Sequence, residues 1–196
     1  MTYPDGISEN FCYTLDSFVE ESIMTSTGSA SASSSMEMDD WISLNNAIDD
    51  KIDGNFFASE LEEFPWFQLE LPEAKNISGL TLVNREDCCG ERLENIEIRA
   101  GFEEVTSENK GIPLSEMNKL CGVFEGPGET GGAYKILCAN GAIEAKYITI
   151  QIMGKQYLQI SEIELIGERY RGSYSITRIS SSLVTCFNII IKQYSL

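Results

Sequence analysis

Asn84-Arg85-Glu86-Asp87-Cys88-Cys89-Gly90-Glu91-Arg92 packs two guanidinium groups, carboxylates and an adjacent cysteine pair into nine residues. Each arginine carries a planar fork of N–H donors that stays charged at any relevant pH, so two of them flanking one spot can grip neighbouring oxygens. Asp87 stands between them and can hold one fork or both. Adjacent cysteines have Cα atoms about 3.8 Å apart across a trans peptide, against roughly 4.4 to 6.8 Å in ordinary disulfides. A Cys88-Cys89 bridge is therefore a tight eight-membered ring that presents sulfur and apolar surface. Gly90 lets the backbone turn sharply beside it. The same residues also suit a solvated salt-bridge cluster at a strand end with two free thiols, and residue types alone leave both readings open.

Outside this stretch the composition sets bounds. A chain of 196 residues with 42% hydrophobic content has enough apolar material for one core with tails. A net charge of −17 argues against nucleic-acid and anionic-membrane partners, which need basic patches, and is compatible with cation binding. All 31 acidic side chains lie at or before Glu168, whereas Arg169, Arg171, Arg178 and Lys192 follow it, so the composition breaks there. Six cysteines (Cys12, Cys88, Cys89, Cys121, Cys138 and Cys186) lack zinc-like spacing and have no histidine to join them. Disulfides in an oxidising, secreted or extracellular setting are the better reading. The N-terminal MTYPDGISENFCYTL does not read as a signal peptide, and no window approaches the roughly 20 apolar residues of a membrane-spanning helix.

Along the chain, residues 1–19 show no clear period and read as an extension, and STGSASASSS within the stretch 19–38 has the composition of a linker. After the acidic loop Asp49-Asp50-Lys51-Ile52-Asp53-Gly54-Asn55, the segment Pro65-Trp66-Phe67-Gln68-Leu69-Glu70-Leu71 alternates. It predicts a half-buried strand with Phe67, Leu69 and Leu71 inward. Further strands are expected at Ile77–Val83, Ile96–Ala100, Tyr134–Cys138, Tyr147–Met153 and Leu158–Ile166, with Gly, Pro and Asn turns between them. Short β-segments with no convincing long helix point to an all-β antiparallel sandwich. The last 28 residues include the apolar, β-prone run Leu183–Ile191, open to reading as a packed tail, a homo-oligomer contact or an added extension.

The arginine-cysteine stretch resembles the sugar-binding signature of the F-type lectins, or fucolectins, a branch of the discoidin-like β-sandwich (jelly-roll) superfamily. In that family an Arg-x-Asp-Cys-Cys-x-x-x-Arg segment binds fucose. Three further landmarks follow the family order: Asn46-Ala47-Ile48-Asp49, Pro65 to Leu71, and Lys146 to Ile150 with Ser161 to Leu165. The resemblance covers about residues 20–168, between an extension at 1–19 and a basic, apolar tail at 169–196. It implies that Arg85 and Arg92, steadied by Asp87, bind the hydroxyls of a fucose-like sugar on a terminal glycan residue. The Cys88-Cys89 ring would stack on the carbon face, and Phe56 or Phe57 would line a pocket for the methyl group. The family's third hydrogen-bonding residue, a histidine, falls on Ala58 when counted back without gaps from Arg85, with Ser59 and Glu60 beside it as substitutes.

The resemblance also implies a calcium ion held by backbone oxygens of Asn46 and Lys51, the Asp49 carboxylate, the Ser161 carbonyl and the Glu162 carboxylate, with Asp53 and Asn55 as competing ligands. That suits calcium's preference for six to eight oxygens. The loop Asp49–Glu60 also meets an EF-hand pattern at its first, fifth, sixth and twelfth positions. It fails at the third, Lys51, and Pro65 is a poor start for the second helix. Family members commonly tie the calcium loop to the last strand by a disulfide, and the two matching positions here are Phe56 and Ser161. The remaining family bridge maps to Cys121 with Cys138, while Cys12 and Cys186 lie in the extensions. Asn76-Ile77-Ser78 is an optional N-glycosylation acceptor. The competing reading is a discoidin-like adhesion or protein-interaction module with a degenerate sugar site. An enzyme is the least favoured, since without histidine the acid-base work falls to carboxylates and no acidic pair stands out.

Overall fold

The computed structural model describes residues 12–36, 41–179 and 182–184. It contains thirteen strands among them: β1 Cys12–Ile23, β2 Ser29–Ala32, β3 Phe57–Ala58, β4 Glu62–Glu63, β5 Trp66–Val83, β6 Ile96–Gly101, β7 Lys119–Phe124, β8 Ala133–Leu137, β9 Ile143–Ile152, β10 Lys155–Gln156, β11 Gln159–Ile160, β12 Glu162–Ile179 and β13 Ser182–Val184. Three short 3-10 turns, at Leu44–Ile48, Gly90–Arg92 and Ser107–Asn109, are the helical elements among the described residues. The fold is all-β and antiparallel, and the long helices of an EF-hand do not flank the loop at 49–60.

The chain divides into two compact units, Glu20–Glu168 and a second formed by Met1–Val19 with Arg169–Leu196. In the larger unit β5 makes the sandwich. Its first part, Phe67 to Glu70, pairs with β2 on one side and β9 on the other. Its second part, Gly79 to Val83, pairs with β8 and β12. One strand therefore belongs to two layers, a common way for a sheet to turn a corner. The register slips between Glu70 and Lys75, and Pro72, which has no N–H to give a ladder, falls in that gap. The first layer continues from β9 to β6 and β7.

Apolar side chains from both layers meet in one core: Leu69, Leu71, Ile98, Ile148 and Ile150 from the first, Leu80, Leu82, Ile163 and Leu165 from the second. The Cys121–Cys138 disulfide joins β7 to the residue after β8 across a separation of 17 residues. Closing a loop of that length is worth about 3 kcal/mol in the chain-entropy account.

The expected half-buried strand is buried on both faces. Phe67, Leu69 and Leu71 do enter the core, but Trp66 and Gln68 are also covered. The cause is the 102–118 segment, which places Val105 and Leu114 against Trp66. Two glutamines bind that segment as a strand would. Gln68 accepts from the Val105 N–H at 2.7 Å and donates to the Val105 carbonyl at 3.2 Å. Gln151 accepts from the Leu114 N–H at 2.8 Å and donates to the carbonyls of Phe64 and Ile112.

Other boundaries differ as well. The two strands expected at 65–71 and 77–83 are one, and the strand expected at Leu158–Ile166 is broken at Ser161 into β11 and β12. β7 was not anticipated. In the smaller unit the expected extension at 1–19 carries the start of β1, and β12 pairs with β13 in the register Thr177↔Val184, Arg178↔Leu183 and Ile179↔Ser182. The side chain of Cys12, together with Cys186 and the run beyond Val184, lies outside the described residues.

Candidate functional site

β5 ends at Val83 and delivers the chain into 84–92. Asn84 fixes this loop, because its buried amide donates to the Gly90 carbonyl at 2.8 Å and to the Glu129 carbonyl at 3.0 Å. The backbone adds Asn84 N–H to the Gly132 carbonyl, and Gly131 N–H to the Arg85 carbonyl at 2.7 Å. The loop is thus clamped to 129–132 along its length. Cys88 and Cys89 form the adjacent bridge, with Cα atoms 3.8 Å apart. The sharp turn falls on Cys89, not on Gly90: Cys89 takes the left-handed conformation at φ 60°. Gly90 is needed for another reason, since a Cβ there would lie 2.2 Å from the Thr130 nitrogen.

Arg85 is 8% exposed and donates from Nε and Nη2 to both oxygens of Asp87, at 2.7 and 2.5 Å. The guanidinium beside it holds the Asp87 carboxyl below its ordinary range. The other side of the fork lies 4.3 Å over the Phe56 ring. Arg92, in the 3-10 turn, stands 4.8 Å over the Tyr157 ring, and among the described residues no ion pair holds it. Asp87 therefore steadies one fork and not both.

The rings under the two arginines belong to one small platform. β3 and β11 pair antiparallel, with Phe57 opposite Ile160 and Ala58 opposite Gln159. Phe57 and Ile160 sit in the main core, so Ala58 and Gln159, one residue on, face the other way. Phe56, just before β3, packs with Ala58 in a satellite cluster with Ile42. Arg85 thus stands over a ring that shares the Ala58 side, and Arg92 over a ring two residues before Gln159 in the chain. Phe56 is the aromatic residue at the arginines, while Phe57 packs inward on Phe67 at 5.0 Å.

Neither neighbour of Ala58 is placed as a simple stand-in for histidine. Ser59 is fully buried, accepts from the Leu158 N–H at 2.8 Å and donates to the Glu60 carbonyl. Glu60 is exposed. Gln159, which sequence reasoning passed over, is 5% exposed, and its Oε1 has no hydrogen-bond partner among the described residues.

Of the expected metal ligands, Asp49, Lys51 and Glu162 come together. The Lys51 N–H donates to Asp49 Oδ1 at 3.0 Å and to Glu162 Oε2 at 3.1 Å, and its Nζ pairs with Asp49 Oδ2 at 3.0 Å. Glu162 is 2% exposed. Burial pushes its carboxyl up to about 7, and the charges of Asp49 and Asp50 add to the rise. A buried carboxylate whose charged form is opposed by two others fits a hard divalent cation. Ser161 gives its N–H to the Val83 carbonyl at 2.8 Å, and its buried Oγ has no partner among the described residues. Asn46 donates to the Phe56 carbonyl at 3.4 Å. Asp53 accepts from the Asn55 N–H in a local turn. Among the described residues no group of three or more His, Cys, Asp or Glu side chains is spaced to hold a metal alone, so backbone oxygens would have to complete such a site.

Comparison with known proteins places this geometry in context. Residues 46–150 match the family described as NedA-like, galactose-binding domain. The chain is 30% identical to fucolectin-4 of Anguilla japonica over 155 residues, 76% of this chain and 82% of that one. It is 34% identical to fucolectin-1 of the same eel over 101 residues, 52% of each. An F-lectin (fucolectin) from the serum of Morone saxatilis, the striped bass, superposes with a TM-score of 0.63 at 25% identity, covering 75% of this chain and 49% of that chain. The matched segment therefore spans about half the length of fucolectin-1 and of the striped bass chain.

Proposed function

Because the chain belongs to the F-type lectin (fucolectin) family of discoidin-like, galactose-binding β-sandwiches, a binding and not a catalytic family, we propose that it is a carbohydrate-binding lectin domain selective for fucose-like terminal sugars. The observation that carries this reading is the pair of guanidiniums, Arg85 and Arg92, each standing over an aromatic ring, Phe56 and Tyr157, at the two ends of the loop that holds the Cys88-Cys89 bridge. Guanidinium N–H groups donate to ring hydroxyls, while the face of the sugar that carries only C–H stacks on the sulfur of the adjacent bridge. Asp87 keeps the Arg85 fork aimed before the ligand arrives, so less side-chain entropy is lost on binding. The Cys88-Cys89 ring holds the loop between the arginines rigid.

Calcium belongs to this proposal as a structural cofactor. Asp49 and Glu162 would give carboxylate oxygens, with backbone oxygens of Asn46, Lys51 and Ser161. A bound cation would offset the burial, and the lesser repulsion from Asp49 and Asp50, that raise Glu162 and would tie the 46–55 loop to the start of β12. A secreted location suits both disulfides, and among the described residues no helix is long and apolar enough to cross a membrane.

The test is a glycan array probed with the chain in calcium and again in chelator, with Arg85→Ala and Arg92→Ala alongside. Clustered ligand should be used, because multivalency raises weak sugar affinities into a measurable range. The parent is expected to select fucosylated glycans and each variant to lose them. Equal binding by both variants would move the site elsewhere, and a silent array would favour a protein-contact role.

A further inference from the structure

We propose that Gln159 is the hydrogen-bond acceptor of the sugar site, its amide oxygen accepting from a ligand hydroxyl held by the arginines. This rests on the lectin reading given above. A sugar hydroxyl that accepts from a guanidinium still carries its own proton and needs an acceptor for it. Arginine has none to offer. The nearby carboxylate, Asp87, turns both oxygens toward Arg85, and an amide oxygen with no donor is the freer acceptor.

The strand pair beside the rings under the arginines supplies one candidate of the right chemistry. Gln159 lies opposite Ala58 in the β3–β11 pair, Ala58 packs with Phe56, and Tyr157 lies two residues before Gln159 in the chain. Those are the rings beneath Arg85 and Arg92. Its side chain is 5% exposed, and Oε1 meets no donor among the described residues. A buried amide oxygen left unpaired costs stability, and a ligand donor would supply the missing bond. The register explains the space available to it. Directly opposed residues of an antiparallel pair bring their side chains within about 5 Å, and Ala58 carries only a methyl group there.

The amide is both donor and acceptor, so it distinguishes hydroxyls by orientation more loosely than a carboxylate does. The ligand class is a pyranose, one hydroxyl of which spans a guanidinium and the Gln159 amide.

The experiment titrates methyl α-L-fucoside and its monodeoxy derivatives into the parent, Gln159→Leu, Gln159→Glu and Arg85→Ala by calorimetry in calcium. Removing one neutral hydrogen bond predicts about 5- to 20-fold weaker fucoside binding by Gln159→Leu. Its thermal midpoint should equal or exceed that of the parent, because an unpaired buried oxygen is removed. Gln159→Glu retains an acceptor and should bind within a few-fold of the parent. One monodeoxy sugar, weakened on the parent by a similar factor, should bind Gln159→Leu no more weakly than methyl fucoside does. If Gln159→Leu loses the near-ultraviolet dichroism of the fold, Gln159→Met is read in its place. Fucoside binding by Gln159→Leu within twofold of the parent, with Arg85→Ala inactive, overturns this inference and leaves the lectin reading standing. A parent that binds no sugar, indistinguishable from Arg85→Ala, overturns both.

Discussion

Replacing Gly90 by alanine tests whether the clamp on the 84–92 loop is what orients the site. The added Cβ would lie 2.2 Å from the Thr130 nitrogen, 2.4 Å from the Glu129 carbonyl carbon and 2.6 Å from the Thr130 Cα. All three are backbone atoms, so no side chain can rotate away. Ordinary contact needs separations near 3.4 Å or more, and one of the two segments must retreat by about an ångström. The bonds at stake join those segments: Asn84 to the Gly90 and Glu129 carbonyls at 2.8 and 3.0 Å, and Gly90 N–H to Thr130 Oγ1 at 3.2 Å. Weakening two or three of them, with overpacking added, costs about 2–4 kcal/mol. For a chain of this size that lowers the thermal midpoint by about 4–16 °C. Arg92 lies two residues on in the same 3-10 turn, so fucoside affinity should fall at least tenfold by calorimetry at a temperature where the variant is still folded. A Gly90→Ala chain that melts within a degree of the parent and binds sugar unchanged would refute the argument that backbone contact at this point sets the arginine geometry.

Calcium should raise the thermal midpoint of the parent by about 5–10 °C at a concentration one hundred times its Kd, and chelator should reverse this. Glu162→Gln should abolish the calcium response and, in chelator at pH 8, melt higher than the parent. A carboxyl whose folded pKa is raised to about 7 costs stability progressively as pH rises from its unfolded value through that point. Asp87 has the opposite sign. Its pKa is depressed by Arg85, so its contribution is present above the ordinary value of 3.8 and is lost as pH falls through its lower folded value. Fucoside binding measured at about pH 7 and pH 5 should thus show no loss from this group, whereas Asp87→Asn should already be weak at pH 7. Gln151→Leu should cost about 2–4 kcal/mol, since it strands the Leu114 N–H and two carbonyls, and should expose 102–118 to limited proteolysis.

What the sequence made legible divides along a physical line. The arginines, the cysteine pair and the alternation of Phe67, Leu69 and Leu71 are local patterns, and local patterns can be read from one chain. The second cover on β5 is different. Nothing in Trp66 or Gln68 announces that 102–118 will lie over them, because a loop held by glutamine amides has no period of its own. The same holds for the partition of the arginines. Asp87 sits between them in sequence, yet two residues from Arg85 is within reach of its fork, while Arg92 is carried off by the turn that begins at Cys89.

Gln159 was missed for a reason that bears on the site itself. In Leu158-Gln159-Ile160 it reads as the solvent-facing member of an alternating strand, and in register it is indeed outward. Outward here does not mean wet, because Gln159 is 5% exposed and the cluster of Phe56, Ala58 and Ile42 packs on the side of its partner Ala58. A polar residue on the outer face of a strand is ordinary when water reaches it, but once another layer covers it, its unpaired atoms must be supplied by that layer or by a ligand. The Arg85 and Arg92 guanidiniums and the cluster of Phe56, Ala58 and Ile42 stand nearby, and among the described residues none donates to Gln159 Oε1. A ligand donor would complete the account, and a sugar hydroxyl bridging a guanidinium and an amide oxygen is such a donor.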